Sequence, residues 1–292
     1  MFTTLIEPPE LAVHIEDAQW AIIDCRFDLA NPDWGALAFS AGHIPHALYA
    51  DLERDLSGAR TPQSGRHPLP QVAALAATLG RFGIDAGVQV IAYDQGAGAF
   101  AARVWWLLRW LGHRAVAVLD GGLPAWERAG LPLSSAAQGR APRRFSAAPD
   151  NSMLASTAQI AAAVDSDAFA RAALLLVDAR SAERFAGENE TLDPVAGHIR
   201  GARNHPYARN HDAQGRFLRP SQLRDAWAET LHGQPPQQVI AMCGSGVTAC
   251  HNLLALEVAG FAGARLYAGS WSEWIRDPAH AVALGPETGW CG

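Results

Sequence analysis

Ala21-Ile22-Ile23-Asp24-Cys25-Arg26 is answered further along the chain by Leu175-Leu176-Val177-Asp178-Ala179-Arg180, an apolar run closed in each case by aspartate, a small residue and arginine. Three more blocks recur in the same order. Ala41-Gly42-His43-Ile44-Pro45 matches Ala196-Gly197-His198-Ile199-Arg200, and Val90-Ile91-Ala92-Tyr93-Asp94 matches Val239-Ile240-Ala241-Met242-Cys243. Leu119-Asp120-Gly121-Gly122, with Trp126, matches Leu266-Tyr267-Ala268-Gly269, with Trp274. The blocks lie about 150 residues apart, far beyond the repeat of a solenoid, so the chain of 292 residues contains two copies of one domain.

Working outward, each copy alternates short apolar runs with helical patterns. Ala21–Cys25, Val88–Asp94 and Ala115–Asp120 read as strands, and Pro70–Phe82 and Gly98–Leu111 as helices. The second copy repeats the scheme, with strands at Leu174–Ala179, Gln238–Cys243 and Ala264–Gly269 and helices at Ser221–Thr230 and Val247–Ala259. Continuous apolar strands separated by helices predict an α/β fold in which each domain is a parallel sheet covered by helices on both faces. The stretch Leu133–Asn151, rich in Ser, Ala, Pro and Arg and without periodicity, reads as a connection. The expected division is a domain over 1–135, a linker over 136–151 and a domain over 152–292.

Composition excludes several function classes. Hydrophobic residues make up 49% and charged residues 18%, which suits a buried core and not disorder. All 23 basic residues are arginine, so chemistry that needs a lysine amine is ruled out: Schiff bases, pyridoxal phosphate attachment, the lysine of a P-loop or kinase. With 29 acidic residues the net charge is -6, and no basic run with interleaved aromatics points to nucleic acid. No apolar stretch is long enough for a membrane helix. Met1–Glu10 has no basic start followed by an apolar run, so the expected compartment is the cytoplasm. Four cysteines without a CxxC pair or zinc-site spacing suggest neither a disulfide framework nor a structural metal.

Cys243 is the candidate nucleophile. The strand Val239–Met242 runs into Cys243-Gly244-Ser245-Gly246-Val247-Thr248, and a helical pattern follows. The carboxyl end of a parallel strand is where open α/β sheets place their ligands. Two glycines allow a tight turn that gathers backbone N–H groups, and the next helix adds its partial positive end. Such surroundings favour the thiolate, the reactive form. The first copy carries Asp94 at this position, so only the second copy can perform thiol chemistry. A free cysteine is ordinarily a small buried hydrophobe, and that reading is kept for Cys25 and Cys250. Cys291, next to the last residue, is expected at the surface, where it could cross-link two chains. A cysteine phosphatase would need an arginine six positions after the nucleophile to clamp phosphoryl oxygens, and that position is Ala249.

On these residues the sequence resembles the two-domain rhodanese-like sulfurtransferases over essentially its whole length. The likeness also rests on Val104-Trp105-Trp106 and Gly269-Ser270-Trp271-Ser272-Glu273-Trp274. The uncharged loop Cys243–Thr248 is similar to that of the 3-mercaptopyruvate branch; the thiosulfate branch carries Arg and Lys after its cysteine. The resemblance implies that Cys243 takes sulfur from a donor as a persulfide and passes it to an acceptor. It implies Gly244, Gly246, Val247 and Thr248 as the substrate-side loop, with Arg184, before Phe185, binding the donor's acidic group. It further implies a proton relay of Ser245, His67 and a carboxylate at Glu53, where the family more often has Asp. His43 and His198 recur in both copies and read as turn and packing residues.

One departure stands out. The loop Gly187-Glu188-Asn189-Glu190-Thr191-Leu192-Asp193-Pro194 lacks the second arginine of the branch, a loss that weakens mercaptopyruvate binding unless Arg200 or Arg203 substitutes. The resemblance calls for no cofactor and no metal. Its partners would be a small-molecule sulfur donor and a thiol acceptor such as a thioredoxin-like protein, or cyanide. Thiosulfate as donor is the alternative within the family. Outside that chemistry, the alternative is a non-catalytic persulfide carrier.

Overall fold

Each apolar run of the first copy becomes a parallel strand with both faces buried. The computed structural model describes residues 1–136 and 138–286. Here β1 (Leu5–Ile6), β2 (Trp20–Asp24), β3 (Leu48–Tyr49), β4 (Gln89–Tyr93) and β5 (Val116–Leu119) form one parallel sheet in the order β1-β5-β4-β2-β3. The register sets Ile22 beside Ile91 and Ile23 beside Ala92. One sheet face, with Ile22, Ile91, Ala117 and Leu119, packs on Leu11 of α1 (Pro8–Val13) and on Leu123 and Trp126 nearby. The alternate residues Ala21, Ile23, Val90, Ala92, Val116 and Val118 are just as buried. Both faces are therefore covered, as a parallel sheet requires. The remaining helices of this copy are α2 (Trp34–Ala41), α3 (Val72–Arg81), α4 (Ala101–Trp110) and α5 (Gly122–Arg128).

The second copy builds the same central pair. Its strands are β6 (Leu175–Asp178), β7 (His198–Ile199), β8 (Arg203–Asn204), β9 (Val239–Met242), β10 (Arg265–Leu266) and β11 (Val282–Ala283). Four of them form a parallel sheet in the order β10-β9-β6-β8, while β11 and β7 pair antiparallel. Leu176 stands beside Ile240 and Val177 beside Ala241. Its helices are α6 (Thr157–Asp165), α7 (Ala182–Ala186), α8 (Pro220–Leu231), α9 (Thr248–Val258) and α10 (Ser270–Trp274). The two-residue strands β1, β3, β7, β8, β10 and β11 are too short to show a periodic pattern; only β10 falls within a run read as a strand from sequence.

The compact units do not follow the repeat boundary. The first comprises Met1–Gly58, Leu69–Asp150 and His211–Phe217; the second comprises Ala59–Pro68, Asn151–Asn210 and Leu218–Gly292. Thus each half of the chain gives a short segment to the unit built by the other. The stretch read as a linker, 136–151, is held to the first unit almost to its end: Arg143 N–H donates to the Gly80 carbonyl, Ala148 N–H to Leu111, Asp150 N–H to Trp110 and the Arg140 guanidinium to the Trp20 carbonyl. Through these bonds the first compact unit runs on to Asp150. Among the described residues no helix is long and apolar enough to cross a membrane.

Behind α9, a buried polar cluster ties that helix to the rest of the second unit. His205 Nδ1 bonds Thr230 Oγ1 at 2.7 Å and its Nε2 bonds Asn210 Oδ1 at 3.2 Å, while the ring stacks on Trp227 at 3.8 Å. Asn210 Nδ2 donates to Asn252 Oδ1 at 2.7 Å, and Asn252 Nδ2 to the His205 carbonyl at 2.9 Å. Burial, reinforced by the Arg209 charge, pushes the His205 imidazole down to about 4 from its ordinary 6.5. The folded state therefore holds His205 neutral where the unfolded chain would protonate it. Its contribution is complete above pH 6.5 and is lost as the pH falls toward 4, a difference of roughly 3 kcal/mol. Urea unfolding at pH 7 and pH 4.5 checks this: the wild type should lose more stability across that window than His205→Gln, by roughly 2 kcal/mol.

Candidate active site

Strand β9 ends at Met242, α9 begins at Thr248, and the residues between them turn around one sulfur atom. Cys243 Sγ accepts the backbone N–H groups of Ser245 (3.4 Å) and Gly246 (3.1 Å), and the cysteine is only 2% exposed. Gly246 adopts φ +76°, and a Cβ there would lie 2.4 Å from the Ala268 carbonyl oxygen, so the turn requires glycine on both counts. The loop is stapled to α10 from below: Trp271 N–H donates to the Cys243 carbonyl and Ser272 N–H to that of Gly244. Ser270 Oγ accepts the Cys243 N–H at 3.1 Å and donates to the Tyr267 carbonyl at 2.9 Å. Ser270 does this from a left-handed backbone, φ +53°. The strand register shifts the sequence match by one residue, so that Gly122 and not Leu123 corresponds to Ser270; Gly122 has φ +58° and precedes Leu123, whose N–H donates to the Asp94 carbonyl. A side chain kept in that conformation has local backbone strain to offset, and two hydrogen bonds offset it.

The first unit shows what the same corner does with a fixed anion. The Asp94 carboxylate accepts four backbone N–H groups, from Gly96 (2.9 Å), Gly98 (3.1 Å), Phe100 (2.8 Å) and Ala101 (3.2 Å). Burial pushes its carboxyl up, and the four amides work against that rise. Asp94 fills its cradle with oxygen; Cys243 fills the other with sulfur.

Beside Cys243 the second unit lays out a line of alternating charges. Asp178 takes Arg180 through both carboxylate oxygens at 2.7–3.1 Å, and the Arg180 guanidinium lies over the Trp271 ring, 4.7 Å from its centre. Arg180 reaches Glu190 at 3.4 Å, Glu190 is held by Arg184 at 2.9–3.1 Å, and Arg184 reaches Asp193 Oδ2 at 3.2 Å. Arg66 Nη1 donates to Asp193 Oδ1 and closes the line. A Cβ built on Gly244 would lie 2.9 Å from Arg66 Nη2 and 3.6 and 3.7 Å from the terminal nitrogens of Arg184. Both guanidiniums therefore stand over the residue next to the cysteine, and a side chain there would displace the end of Arg66.

His67 comes from the exchanged segment Ala59–Pro68. Its Nδ1 is 2.7 Å from Ser245 Oγ, and the neighbouring Arg66 N–H donates to Ser272 Oγ at 3.0 Å. The structure thus brings together Cys243, Gly244, Ser245, Gly246, His67 and Arg184. Val247 and Thr248 form the start of α9, Val247 buried and Thr248 half-buried. Glu53 lies in the first unit, exposed, with its N–H donating to Asp51 Oδ1.

Arg200 and Arg203 are engaged elsewhere than in this line of charges. Arg200 donates to the Val164 carbonyl and stands 3.8 Å from Asp167, and Arg203 is buried against the Thr230 carbonyl. Arg66 takes the place beside Arg184. The sequence signal was its position next to His67, across 127 residues from Asp193. Cys25 and Cys250 are buried, and the Cys250 thiol donates to the Gly246 carbonyl at 3.3 Å. Cys291 lies outside the described residues. His43 and His198 bond the Phe39 and Phe185 carbonyls through Nδ1 and stack on those same rings, contacts of packing.

Such a site can hold a sulfur anion on backbone amides, an acidic group on guanidiniums and a mobile proton on the serine–histidine pair. The model of the Rhodanese-like domain matches residues 7–129 and again 158–277. The chain is 48% identical to the "Probable 3-mercaptopyruvate sulfurtransferase" of Pseudomonas aeruginosa, over 96% of this chain and 98% of that one. It is 36% identical to the thiosulfate sulfurtransferase of Cricetulus griseus, over 80% and 77% of the two chains. The solved 3-mercaptopyruvate sulfurtransferase from Leishmania major superposes with a TM-score of 0.81 at 31% identity, covering 94% of this chain and 76% of that one.

The geometry at Ser270 makes an unusual ordering testable. Ser270→Gly loses the hydroxyl but suits the left-handed backbone, whereas Ser270→Ala loses the hydroxyl and keeps the strain. Urea unfolding should find the glycine variant the more stable of the two, by about 1 kcal/mol.

Proposed function

The chain belongs to the rhodanese-like domain family, and from that premise we propose that it moves a sulfane sulfur from 3-mercaptopyruvate, through a persulfide on Cys243, to a thiol or cyanide. The observation that carries this reading is the uncharged loop around Cys243 Sγ, with Ser245 Oγ bonded to His67 at 2.7 Å and the arginines set to one side over Gly244. A dianionic donor such as thiosulfate favours positive charge within the loop itself. A mercapto-acid favours positive charge one carboxylate away from its sulfur, and this site is of the second kind.

The steps follow from these positions. The Cys243 thiolate attacks the thiol sulfur of the donor; an S–S bond forms and the donor's C–S bond breaks. The electron pair of that bond leaves with the carbon as the enolate of pyruvate, and the Ser245–His67 pair delivers the proton that makes pyruvate. Cys243 is left as a persulfide whose inner sulfur keeps the Ser245 and Gly246 amides within reach. An acceptor thiolate, or cyanide, then attacks the outer sulfur, and the electron pair of the S–S bond returns to Cys243 as thiolate. A thioredoxin-like protein would serve as a thiol acceptor.

Intact mass after separate incubation with 3-mercaptopyruvate and thiosulfate tests the reading. A gain of one sulfur with 3-mercaptopyruvate, absent in Cys243→Ser, is expected. A gain with thiosulfate alone would overturn the donor assignment, and a gain that survives in Cys243→Ser would overturn the role of Cys243. Steady-state kinetics of Arg184→Ala should show KM for the donor raised about 10-fold, the cost of one charge-assisted hydrogen bond to a carboxylate.

A further inference from the structure

We propose that Arg66 and Arg184 together form the seat for the donor's carboxylate, and that Asp193 is a competitor built into the chain that occupies this seat when no donor is bound; this rests on the functional reading above. Three observations lead there. Asp193 bridges the two guanidiniums with one oxygen on each, Oδ1 on Arg66 and Oδ2 on Arg184. That is how a donor carboxylate would be gripped between two arginines. Next, the two guanidiniums converge over Gly244, adjacent to the nucleophile, so an acid held there presents its sulfur toward Cys243.

Finally, access to the charge line is one-sided. The side chains of Arg66 and Arg184 are 20% and 19% exposed, whereas Asp193, Glu190 and Arg180 show 3%, 2% and 1%. A ligand arriving from solvent meets guanidinium and nothing else of the line. The six groups from Asp178 to Arg66 are three anions and three cations, so the line is already balanced. An incoming carboxylate adds an unmatched negative charge unless one resident carboxylate gives way. Asp193 is the one that can: its carboxylate is buried but its chain neighbours Leu192 and Pro194 are exposed, and burial pushes its carboxyl up, the Arg66 and Arg184 charges acting against that rise. Glu190, held by two arginines and two backbone N–H groups, has its carboxyl drawn down. Arg66 is thus a substrate-binding residue, and Asp193 sets the donor concentration at which the site fills.

Two substitutions should act in opposite directions. With pyruvate as the probe and titration calorimetry as the readout, Arg66→Ala should weaken binding about 10-fold and Asp193→Asn should tighten it about 5-fold, the scale of one charge-assisted hydrogen bond removed or released. KM for 3-mercaptopyruvate should move in the same two directions. Arg66→Lys keeps the charge and the fold but not the two-nitrogen grip, and should fall between the wild type and Arg66→Ala. If Arg66 and Asp193 merely tie the segment Ala59–Pro68 in place, both substitutions weaken pyruvate binding; that result, or an unchanged constant in Arg66→Lys and Arg66→Ala, overturns the proposal. Pyruvate binding needs no turnover, so the two readings fail separately. Opposite shifts in a protein that takes no sulfur from 3-mercaptopyruvate would keep the seat and remove the donor. Sulfur uptake without tightening in Asp193→Asn would keep the donor and remove Asp193 as competitor.

Discussion

In both units the peptide N–H groups that follow the central strand converge on one buried point, and buried donors left without an acceptor are costly. The rest of each unit is arranged around meeting that need. In the first unit Asp94 meets it with two oxygens and four amides, a closed arrangement with no reactive atom. In the second unit a single sulfur meets it with two amides, and the loop stays in shape because it is fastened at its other atoms: the Cys243 N–H to Ser270 Oγ, and the carbonyls of Cys243 and Gly244 to α10. The chemistry of the second copy thus follows from one exchange, a carboxylate for a thiol, and from scaffolding that holds the turn when the stronger acceptor is gone.

A second constraint is electrostatic. An arginine seat for an acid, placed in a mostly apolar unit, would bury unmatched positive charge whenever it stood empty. The line Asp178–Arg180–Glu190–Arg184–Asp193–Arg66 removes that cost by alternating signs inward to the Asp178–Arg180 pair at the end of β6. The first unit holds the corresponding Asp24–Arg26 pair, with Tyr93 Oη donating to Asp24 at 2.6 Å. In both units the arginine also donates to the carbonyl of the glycine before the repeated histidine, Gly42 in the first and Gly197 in the second. The paired Asp-x-Arg block is therefore common architecture, and what distinguishes the second unit is the acidic loop laid across it.

These facts divide what was legible in the sequence from what was not. Strands such as Trp20–Asp24 and Val239–Met242 could be read because both their faces are buried and every residue is apolar until the closing aspartate or cysteine. Cys243 could be read because the strand, the Gly-Ser-Gly turn and the helix are contiguous. The meeting of Arg66 with Arg184 on Asp193 could not, since Arg66 lies 127 residues before Asp193 and no local pattern joins the two. Ser270 was hidden for another reason: its function lies in a backbone angle, and serine is not a residue type that signals a left-handed conformation. The contacts of the segment ending at Asp150 could not be read because an extended strap held by backbone and arginine hydrogen bonds carries no periodic signature, and so reads like a segment that packs on nothing.

The exchanged segments give the duplication its final form. Residues 59–68 of the first half complete the second unit with Arg66 and His67; residues 211–217 of the second half complete the first unit, where Phe217 N–H donates to Asp120 Oδ1 at 2.8 Å and the Phe217 ring lies against Gly98 of the Asp94 turn. In each copy the same region of the repeat is sent away, and in each case it arrives at the turn after the central strand. Where the turn holds a carboxylate, the visitor is a phenylalanine that packs. Where it holds a thiol, the visitor is a histidine bonded to the loop serine, together with an arginine over the loop glycine. A copy cut out at the repeat boundary would keep its nucleophile and its amides but lose the histidine and one guanidinium. Domain duplication in this chain is therefore not redundancy: the half whose turn holds Asp94 supplies the histidine and the arginine that stand at the turn holding Cys243.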